Sequence, residues 1–532
     1  MYTPVNTSHQ EESFTALPDF FEYIDLAFAK QIGGDIDKSC LTALAYLMLA
    51  ARRGHLHVEL FSDKLNPQPD QLMSGNDVIA IAELLKLTET VITGFKKLAF
   101  CAVLEDKIKI ENNKFYLQRL WKYQSTINAL LEIHIKTTPK IEVDSKKLKS
   151  ELEKASGLLE EQKAGITASA THALSIITGG PGTGKSYTIR HIIKILKLCT
   201  SKELRINITA PTGKAAANLS RAIPEHPAQT LHSLLQLHRN RATFNYINSD
   251  ILIVDESSMI DAHMMHELLG RLLPGTRLIM LGDQNQLPPV EAGDIFAQIV
   301  EKLTPQPYCT SLKKCLRTDY REIIECANTI QKTDENLIKA ISKVNYGDII
   351  KVMDMKKISL PFLANKYQYL SKISKISLDD VVRCNNFRIL SPLKRGLWGV
   401  DNINKKIDHF LSQKEDSRTV PIMILRNDYS LDLANGDCGL LSYEGNSRYL
   451  FIEGEPHQRY YNKTLQLRKI PQIILPDYQL AYAISIHKSQ GSEFNEIFIL
   501  WPEGSECFGR KALYTAVTRA KCKISLATNL RL

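Results

Sequence analysis

The sequence has 532 residues, and 44% of them are hydrophobic, a share typical of a globular protein rather than of a disordered chain. A chain of this length exceeds a single hydrophobic core, and we expect about three or four domains. Its formal net charge of +9 at pH 7 is compatible with a polyanionic partner but does not establish one. The ten cysteines contain no CxxC pair, which gives no support to a zinc or iron–sulfur site and favours a reduced, cytoplasmic compartment.

The first predicted domain, residues 1–130, is helical and ends in a β-hairpin. Its apolar stretch 42–51 is too short to cross a bilayer, so no membrane segment is expected. Further along, polar and apolar residues alternate on both sides of Asn112-Asn113, which predicts the hairpin. The acidic residues near 105–107 lack the further carboxylates that a nuclease metal site needs, so no nuclease site is predicted in this chain.

Two later stretches have the pattern of a parallel sheet with crossover helices. In residues 131–304, short β-rich runs alternate with helical runs. Residues 305–414 and 481–532 show the same alternation, so the predicted fold class is α/β with two such domains. Between the halves of the second domain, residues 415–480 contain short strands at hairpin spacing, which predict an inserted Src-homology-3-like β-barrel.

A glycine-rich loop follows the first apolar strand of this region and precedes a helix. It has the spacing G-x4-G-K-[ST], formed by Gly179, Gly184, Lys185 and Ser186. Glycines let main-chain N–H groups converge on a phosphate, the lysine adds a charge beside the β- and γ-phosphate oxygens, and the serine hydroxyl can bind Mg²⁺. The residues predicted to bind ATP in this loop are Gly179, Gly180, Pro181, Gly182, Thr183, Gly184, Lys185, Ser186 and Tyr187.

Two more strands of the same region end in polar groups. The first ends in Asp255-Glu256, where we expect Asp255 to hold Mg²⁺ and Glu256 to activate the attacking water, as in a hydrolase rather than a kinase. The second ends in Asp283, Gln284 and Gln286. Such a group can hydrogen-bond the γ-phosphate and report its loss, and we assign Gln286 to this catalytic role.

Taken in order, these motifs resemble those of superfamily 1 helicases, whose two motor domains are RecA-like. The resemblance implies that Gln162 reads adenine, and that Arg317 in "CLRTD" and Arg519 in "LYTAVTRAK" reach the γ-phosphate from the second motor domain. An arginine supplied by the opposite domain stabilises charge on the transferring phosphoryl group and links hydrolysis to closure. "APTGKAA" (210–216) and "TLHSLL" (230–235) resemble the segments that contact single-stranded DNA in the first motor domain.

The polar stretch "HKSQGSEF" resembles the fifth helicase motif, on the second motor domain. Ser489 and Gln490 can give neutral hydrogen bonds to phosphate and sugar, and Lys488 can add charge. Glu493 cannot bind a phosphate, so a sugar hydroxyl or a bracing cation is its expected partner. With the first-domain segments, the predicted DNA contacts are Pro211, Thr212, Lys214, Thr230, His232, His487, Lys488, Ser489, Gln490 and Glu493.

The resemblance narrows to the RecD group through "RILSPLKRGLWGVDNINKKI" (388–407) and "PIMILRNDYSLDLANGDCGLL" (421–441). It implies an ATP- and Mg²⁺-dependent helicase that travels 5′ to 3′ on DNA and acts in double-strand break repair and homologous recombination. RecB-like and RecC-like partners would complete a heterotrimer in the bacterial cytoplasm, with the nuclease on a partner and residues 1–130 contacting the partners.

Two alternatives stay open. A standalone RecD-like helicase usually carries a longer N-terminal region with helix–hairpin–helix repeats, and none is visible in this sequence. A nucleotide-binding regulatory subunit with little turnover would not need the full set of charged motor residues. Residues 236–250 of this chain correspond to an insertion that carries a strand-separating pin in related helicases. In this chain the segment is short.

Overall fold

The computed structural model describes most of the chain, and the described residues form two compact units. The described residues are 21–34, 36–72, 78–101, 104, 106–236, 245–314, 321–333, 337–342, 344, 346–412, 419–428, 430–454 and 466–529. The first unit takes in the chain up to Glu132 with Ile260–Gly270 and Pro288–Ile295, and the second takes in Ile133–Met259, Arg271–Leu287 and Phe296 onward. Within these ranges, no helix combines the length and the apolar character needed to cross a membrane.

The N-terminal part combines helices with a four-stranded antiparallel sheet. The helices are α1 (Tyr23–Gly33), α2 (Lys38–Arg52), α3 (Pro69–Leu72), α4 (Val78–Lys86), α5 (Thr88–Leu98) and α6 (Gln118–Lys136). The strands are β1 (His57–Phe61), β2 (Lys64–Asn66), β3 (Ile108–Glu111) and β4 (Lys114–Leu117), in the order β2-β1-β4-β3. The prediction of a helical module with one hairpin therefore missed two strands.

The hairpin between β3 and β4 forms where the sequence predicts it. Glu111 pairs with Lys114 across the turn, and Asn112 and Asn113 have φ angles of 51° and 60°. Asparagine tolerates this left-handed conformation, which a two-residue hairpin turn requires, so the predicted hairpin is confirmed.

A six-stranded parallel sheet dominates the first half of the second unit. Its strands are β5 (Leu174–Gly179), β6 (Ile206–Ala210), β7 (Gln229–Thr230), β8 (Ile251–Val254), β9 (Arg277–Gly282) and β10 (Cys309–Leu312), in the order β10-β5-β9-β8-β6-β7. Every residue of β5, β8 and β9 is buried, as expected for strands covered on both faces. Because β10 pairs with β5, the predicted domain end at residue 304 is too early.

Helices accompany this sheet along the chain. They are α7 (Ser145–Lys154), α8 (Glu160–Thr171), α9 (Lys185–Cys199), α10 (Gly213–Ala222), α11 (Leu231–Leu234), α12 (Ala262–Gly270) and α13 (Ile295–Leu303). Side-chain caps fix several of their starts. The Thr212 hydroxyl accepts from the main-chain N–H of Ala215, and the Thr230 hydroxyl accepts from that of Ser233.

The rest of the second unit contains a second parallel sheet and an antiparallel one. The strands are β11 (Ile350–Asp354), β12 (Phe387–Ser391), β13 (Val420–Ile424), β14 (Cys438–Glu444), β15 (Ser447–Gly454), β16 (Gln466–Pro471), β17 (Tyr478–Leu480), β18 (Ala483–Ser485), β19 (Phe494–Trp501) and β20 (Ala520–Thr528). The parallel sheet has the order β11-β20-β19-β12-β18. The α/β class with two parallel sheets is thus confirmed.

The antiparallel sheet is inserted between β12 and β18, at the place predicted for a barrel. Its order is β16-β15-β14-β13-β17. Among the described residues no pairing joins β16 to β17, so a closed barrel stays a prediction. The helices of this half are α14 (Arg321–Lys332), α15 (Leu337–Ser342), α16 (Leu360–Asn365), α17 (Leu378–Asn385), α18 (Val400–Ser412) and α19 (Gly509–Val517).

Candidate active site

The glycine-rich loop connects the end of β5 to the start of α9. Gly182 and Gly184 have φ angles of 76° and 84°, a conformation that residues with a Cβ rarely adopt. A Cβ on Gly179 would lie 2.7 Å from the Thr183 hydroxyl and 3.0 Å from the Leu312 Cβ, so the site has no room for a side chain. The loop therefore wraps tightly at the amino end of a 15-residue helix, where free N–H groups favour an anion.

Lys185 folds back into this loop. Its Nζ donates to the carbonyl oxygens of Gly179 at 2.6 Å and Gly180 at 3.2 Å. Ser186, the next residue, is exposed at the mouth of the loop. A bound phosphate would offer the ammonium group charged oxygens in place of neutral carbonyls, and such charge-assisted hydrogen bonds are the stronger ones.

Asp255 and Glu256 follow the carboxyl end of β8. The main-chain N–H of Glu256 donates to Asp255 Oδ1 at 2.9 Å, and Glu256 has a φ of 50°, a conformation uncommon for a residue with a side chain. Burial and the Glu256 carboxylate raise the pKa of Asp255, while the Lys185 ammonium opposes the shift. Glu256 Oε2 is buried without a hydrogen-bond partner in the described part of the chain.

The polar end of β9 lies beside these groups in the sheet order. Asp283 is almost fully buried, and its Oδ2 accepts from Gln286 Nε2 at 3.3 Å. Gln286 Oε1 is buried and has no partner among the described residues. The buried oxygen atoms Glu256 Oε2 and Gln286 Oε1 therefore have no partner among the described residues, which is the condition expected of groups that await a ligand or water.

Gln162 lies behind the phosphate loop and is fully buried. Its Oε1 accepts from the N–H of Leu159 at 3.0 Å, and its Nε2 lies 3.4 Å from the carbonyl oxygen of Thr183. The amide thus joins the start of α8 to the loop, and adenine reading by Gln162 stays a prediction. Tyr187, predicted at the nucleotide, is partly exposed in the first turn of α9.

A cavity of about 230 Å³ opens beside the phosphate loop. The loops that follow β5 and β9 contribute Gly180, Thr183 and Asp283 to its lining, whereas α19 contributes Tyr514 and β20 contributes Lys521. The sequence prediction missed both of the latter residues. Both lie in the stretch "LYTAVTRAK" that supplied Arg519, so their proximity to a predicted arginine was the available signal.

The residues of the phosphate loop and of the adjoining strand ends fit a nucleoside triphosphate with a divalent cation. Loop N–H groups and Lys185 suit phosphates, and the Ser186 hydroxyl and Asp255 carboxylate are the oxygen donors that Mg²⁺ prefers. Within the described ranges no cluster of three or more His, Cys, Asp or Glu side chains could hold a metal alone. Mg²⁺ commonly keeps water and binds substrate phosphate oxygens beside one or two protein ligands.

The structure describes one of the two arginines that were predicted to reach the γ-phosphate. Arg317 lies outside the described residues. Arg519 is buried, and its Nε donates to the carbonyl oxygen of Thr515 at 3.2 Å while its Nη1 lies 3.4 Å from that of Ser492. Its neighbours Thr518 and Ala520 line the cavity.

The DNA segments predicted in the first domain lie at the same sheet edge as the phosphate loop. In the parallel pair β6–β7, Ala210 is opposite Thr230, so the two segments leave the sheet edge at matching heights. The sheet order places the strands that lead to the phosphate loop, Asp283 and Asp255 on one side, and β6 and β7 on the other. Ligands of open parallel sheets bind at this carboxyl edge.

The predicted residues at the fifth motif divide into a buried and an exposed set. Ser489 is fully buried and donates to the carbonyl oxygen of Ile486 at 2.6 Å, and Gln490 is also buried. His487 is partly buried, and this burial lowers the pKa of its imidazole. The exposed members are Lys488, whose Nζ donates to Gln479 Oε1 at 3.2 Å, and Glu493.

Glu493 has a cationic partner, which is one of the two kinds of partner expected from the sequence. Its Oε2 lies 3.3 Å from Lys521 Nζ, and both side chains are partly exposed. Lys521 also lines the cavity beside the phosphate loop. The predicted DNA motif is therefore one ion pair away from the candidate nucleotide site.

The two halves of the predicted DNA path meet at Gly491. Asn218 Nδ2, on α10, donates to the carbonyl oxygen of Gly491 at 3.1 Å. A Cβ on Gly491 would lie 3.8 Å from the Thr212 hydroxyl. A Cβ on Gly213 would lie only 2.6 Å from the Cβ of Ala434, which lies in the connection between β13 and β14, so α10 also contacts the insertion closely.

Family comparisons agree with this geometry. Residues 162–292 match the model of an AAA domain, and residues 480–527 match that of a UvrD-like helicase C-terminal domain. The fold and site define a phosphate-loop ATPase of the helicase class. The RecBCD enzyme subunit RecD of Mycolicibacterium smegmatis is 30% identical over 409 residues, covering 69% of this chain and 70% of the relative. The chain belongs to the RecD family.

Two further relatives bear on the alternatives. The RecBCD enzyme subunit RecD of Buchnera aphidicola is 28% identical over 503 residues, which cover 80% of this chain and 81% of that protein. The ATP-dependent RecD2 DNA helicase of Deinococcus radiodurans is 26% identical over 422 residues, which cover 77% of this chain but only 54% of that protein.

Proposed function

We propose that this protein is an ATP-driven DNA helicase that serves as the RecD subunit of a RecBCD-like complex. The observation that carries the proposal is the shared carboxyl edge of the first sheet. It holds the phosphate loop, Asp255 and Asp283 beside the segments that begin at Pro211 and Thr230. One edge can therefore bind nucleotide and a nucleic-acid strand together.

In the proposed reaction, Lys185 and the loop N–H groups hold the β- and γ-phosphates. Ser186 and Asp255 would hold Mg²⁺, which neutralises charge on the phosphate oxygens when it is bound. Glu256 accepts a proton from the attacking water, a role that its unpartnered buried Oε2 supports. Gln286 binds the γ-phosphate, supported by its unpartnered Oε1.

Arg317 and Arg519 are proposed to reach the γ-phosphate from the second sheet. The position of Thr518 and Ala520 at the cavity supports this role for Arg519. The guanidinium would exchange weak contacts to neutral carbonyls for a charged phosphate, which is the stronger partner. Closure of the two sheets around the nucleotide would accompany the exchange.

Single-stranded DNA is proposed to cross both sheets, from Thr212, Lys214 and His232 to the segment His487–Glu493. Phosphate contacts hold such a strand and carry no sequence information, which suits a motor. Travel 5′ to 3′ is what the RecD family membership supports. Ser489 and Gln490 would act in this path by shaping the motif, because the structure buries both side chains.

The proposed assembly is a heterotrimer with RecB-like and RecC-like subunits at DNA ends, in the bacterial cytoplasm. The names of the relatives from Mycolicibacterium smegmatis and Buchnera aphidicola support it. The unit that precedes the first parallel sheet is proposed to contact the partners, and residues 415–480 to form a Src-homology-3-like barrel. Co-purification with two large partner proteins tests the assembly, whereas a stable, active monomer would favour the standalone helicase.

The decisive experiment measures ATP hydrolysis of the purified chain with and without single-stranded DNA. We expect DNA to stimulate turnover, and Lys185→Gln to lower it by about 100-fold or more. Lys146→Gln, an exposed lysine on α7, is the matched control and should leave turnover unchanged. Turnover that ignores DNA would contradict the motor, and negligible turnover in the wild type with normal nucleotide binding would favour the regulatory subunit.

A further inference from the structure

The segment from Asp283 to Leu287 is clamped by three hydrogen bonds to residues of the domain that contains the second parallel sheet. Tyr514 donates from its hydroxyl to Asp283 Oδ2 at 2.9 Å. The Thr515 hydroxyl accepts from the N–H of Leu287 at 2.8 Å, and Gln490 Nε2 donates to the Leu287 carbonyl oxygen at 2.9 Å. All three hydrogen bonds are buried. They fix the main-chain N–H and carbonyl oxygen of Leu287 and the carboxylate of Asp283 to the opposite domain.

Tyr514 also lies against the phosphate loop. A Cβ built on Gly180 would be 3.0 Å from the Tyr514 hydroxyl and 4.0 Å from Asp283 Oδ2. Gly180, Asp283 and Tyr514 all line the same cavity. A phosphate bound at the loop would therefore sit next to this hydroxyl, and its negative charge would act on the bond between Tyr514 and Asp283.

The clamp continues from the cavity toward the predicted DNA path. Asp283 Oδ2 also accepts from Gln286, the residue next to Leu287. On the far side, Gln490 precedes Gly491, whose carbonyl oxygen accepts from Asn218 on α10. A shift of the segment by the length of one hydrogen bond would have to move Gln490 or break its bond to Leu287, because a buried carbonyl left unpaired is costly.

We propose that Tyr514 and Thr515 are positioning residues that couple the nucleotide state to DNA affinity through the segment Asp283–Leu287. This inference rests on the proposed motor function. A phosphate at the loop would alter the hydrogen bond between Tyr514 and Asp283. Because Thr515 and Gln490 are bonded to Leu287, a shift of Leu287 would then move the DNA-facing motif. Neither residue donates to or accepts from the reacting atoms in this scheme, so each acts through the segment that it holds.

Burial strengthens the hydrogen bond between Tyr514 and Asp283 and keeps its donor protonated. Burial and the neighbouring Asp283 carboxylate raise the pKa of Tyr514, so its phenol stays protonated and remains a donor at neutral pH. A hydrogen bond from a neutral hydroxyl to a buried carboxylate is charge-assisted and stronger than a neutral pair. Its loss on Tyr514→Phe leaves the aromatic ring and its packing in place.

The test is a coupling measurement on the full chain. The affinity for a fluorescent single-stranded oligonucleotide is measured with and without a non-hydrolysable ATP analogue, and the ratio of the two dissociation constants is the coupling factor. We expect a wild-type factor of about fivefold or more, and a factor close to one for Tyr514→Phe and for Thr515→Val. Thr515→Ser keeps the hydroxyl and should restore the wild-type factor.

Controls separate coupling from simple damage. Tyr443→Phe deletes a hydroxyl from an exposed tyrosine of the antiparallel sheet and should leave the factor unchanged. Affinity for the ATP analogue alone should stay within about threefold of wild type in Tyr514→Phe, because the phosphate loop is untouched. A wild-type factor in both Tyr514→Phe and Thr515→Val would overturn the inference. Wild-type protein without DNA-stimulated hydrolysis would instead overturn the motor function on which it rests.

Discussion

The main-chain N–H of Glu256 donates to the Asp255 carboxylate at 2.9 Å, and Glu256 holds a left-handed φ of 50°. The two acids are thus adjacent in sequence but differ in their surroundings. The Asp255 carboxylate is tied to the backbone and feels the Lys185 ammonium, whereas Glu256 Oε2 has no partner in the described structure. A residue kept in a sparsely populated conformation with an unsatisfied oxygen is typical of a functional site.

This difference predicts the effect of Glu256→Gln. The variant keeps the size of the side chain but cannot take a proton from water, so we expect turnover to fall by about 100-fold or more. Nucleotide affinity, measured by fluorescence titration, should stay within about threefold of wild type, because Lys185 and the loop are unchanged.

Asp261→Asn is a matched acid-to-amide control, because the Asp261 carboxylate accepts from the main-chain N–H of Met264 at the start of α12, and it should hydrolyse ATP at the wild-type rate. If Glu256→Gln lost nucleotide affinity as strongly as turnover, the residue would hold the nucleotide rather than activate water.

The contacts of Gln490 and Glu493 predict that their variants lose DNA-stimulated turnover more than nucleotide affinity. Gln490 holds Leu287, at the end of the segment that begins with Asp283, and Glu493 pairs with Lys521, so the proposed DNA motif is linked to residues that line the cavity. Gln490→Ala and Glu493→Ala should therefore reduce DNA-stimulated turnover by about tenfold while changing nucleotide affinity much less. Steady-state hydrolysis at saturating DNA and direct nucleotide titration give the two quantities. An equal loss in both would contradict the assignment to the DNA side.

Much of the site could be predicted because its signals are local. The phosphate loop is a short pattern between an apolar run and a helix, and the structure shows the glycine conformations that the pattern requires at Gly182 and Gly184. The hairpin at Asn112-Asn113 was predictable for the same reason, since the turn residues themselves favour a left-handed backbone. The turn between β1 and β2 uses Ser62 and Asp63 instead, and this pair carries no such signal.

Features that depend on distant partners were not predictable. The edge strand β10 pairs with β5, which lies more than a hundred residues earlier, so no local pattern marked the end of the first sheet. The burial of Ser489 and Gln490 follows from packing against other segments, whereas their polarity in the sequence indicated a DNA-facing surface. The contact of Tyr514 with Asp283 likewise joins residues 231 positions apart.

Lys214 predicts a change in the salt dependence of DNA binding. It lies at the start of α10, beside Gly213 and the predicted phosphate contact Thr212. If Lys214 neutralises one phosphate, Lys214→Ala should weaken binding of single-stranded DNA and reduce the slope of log K against log salt by about 0.7. Fluorescence anisotropy at several salt concentrations measures this slope. Lys146→Ala is the control, and an unaltered slope in Lys214→Ala would remove Lys214 from the interface.

Gly94 predicts a selective loss of stability in the N-terminal part. A Cβ on this residue of α5 would lie 2.0 Å from the main-chain oxygen of Ser39 and 2.8 Å from the Cβ of Ala43, both on α2. The two helices would have to separate, so Gly94→Ala should destabilise their packing by about 1–3 kcal/mol. Gly270→Ala is the matched control, because nothing lies within 4 Å of its added Cβ and alanine favours a helix.

Hydrogen exchange of the α2 and α5 peptides in the full chain reads this effect locally, without requiring the whole protein to unfold in one step. Faster exchange should be confined to these helices in Gly94→Ala and absent in Gly270→Ala. The phosphate loop should exchange at the wild-type rate in both variants, because neither glycine belongs to its unit. Equal protection of α2 and α5 in the two variants would show that the helices accommodate the added Cβ without loss of stability. The close packing at Gly94 would then contribute nothing to stability.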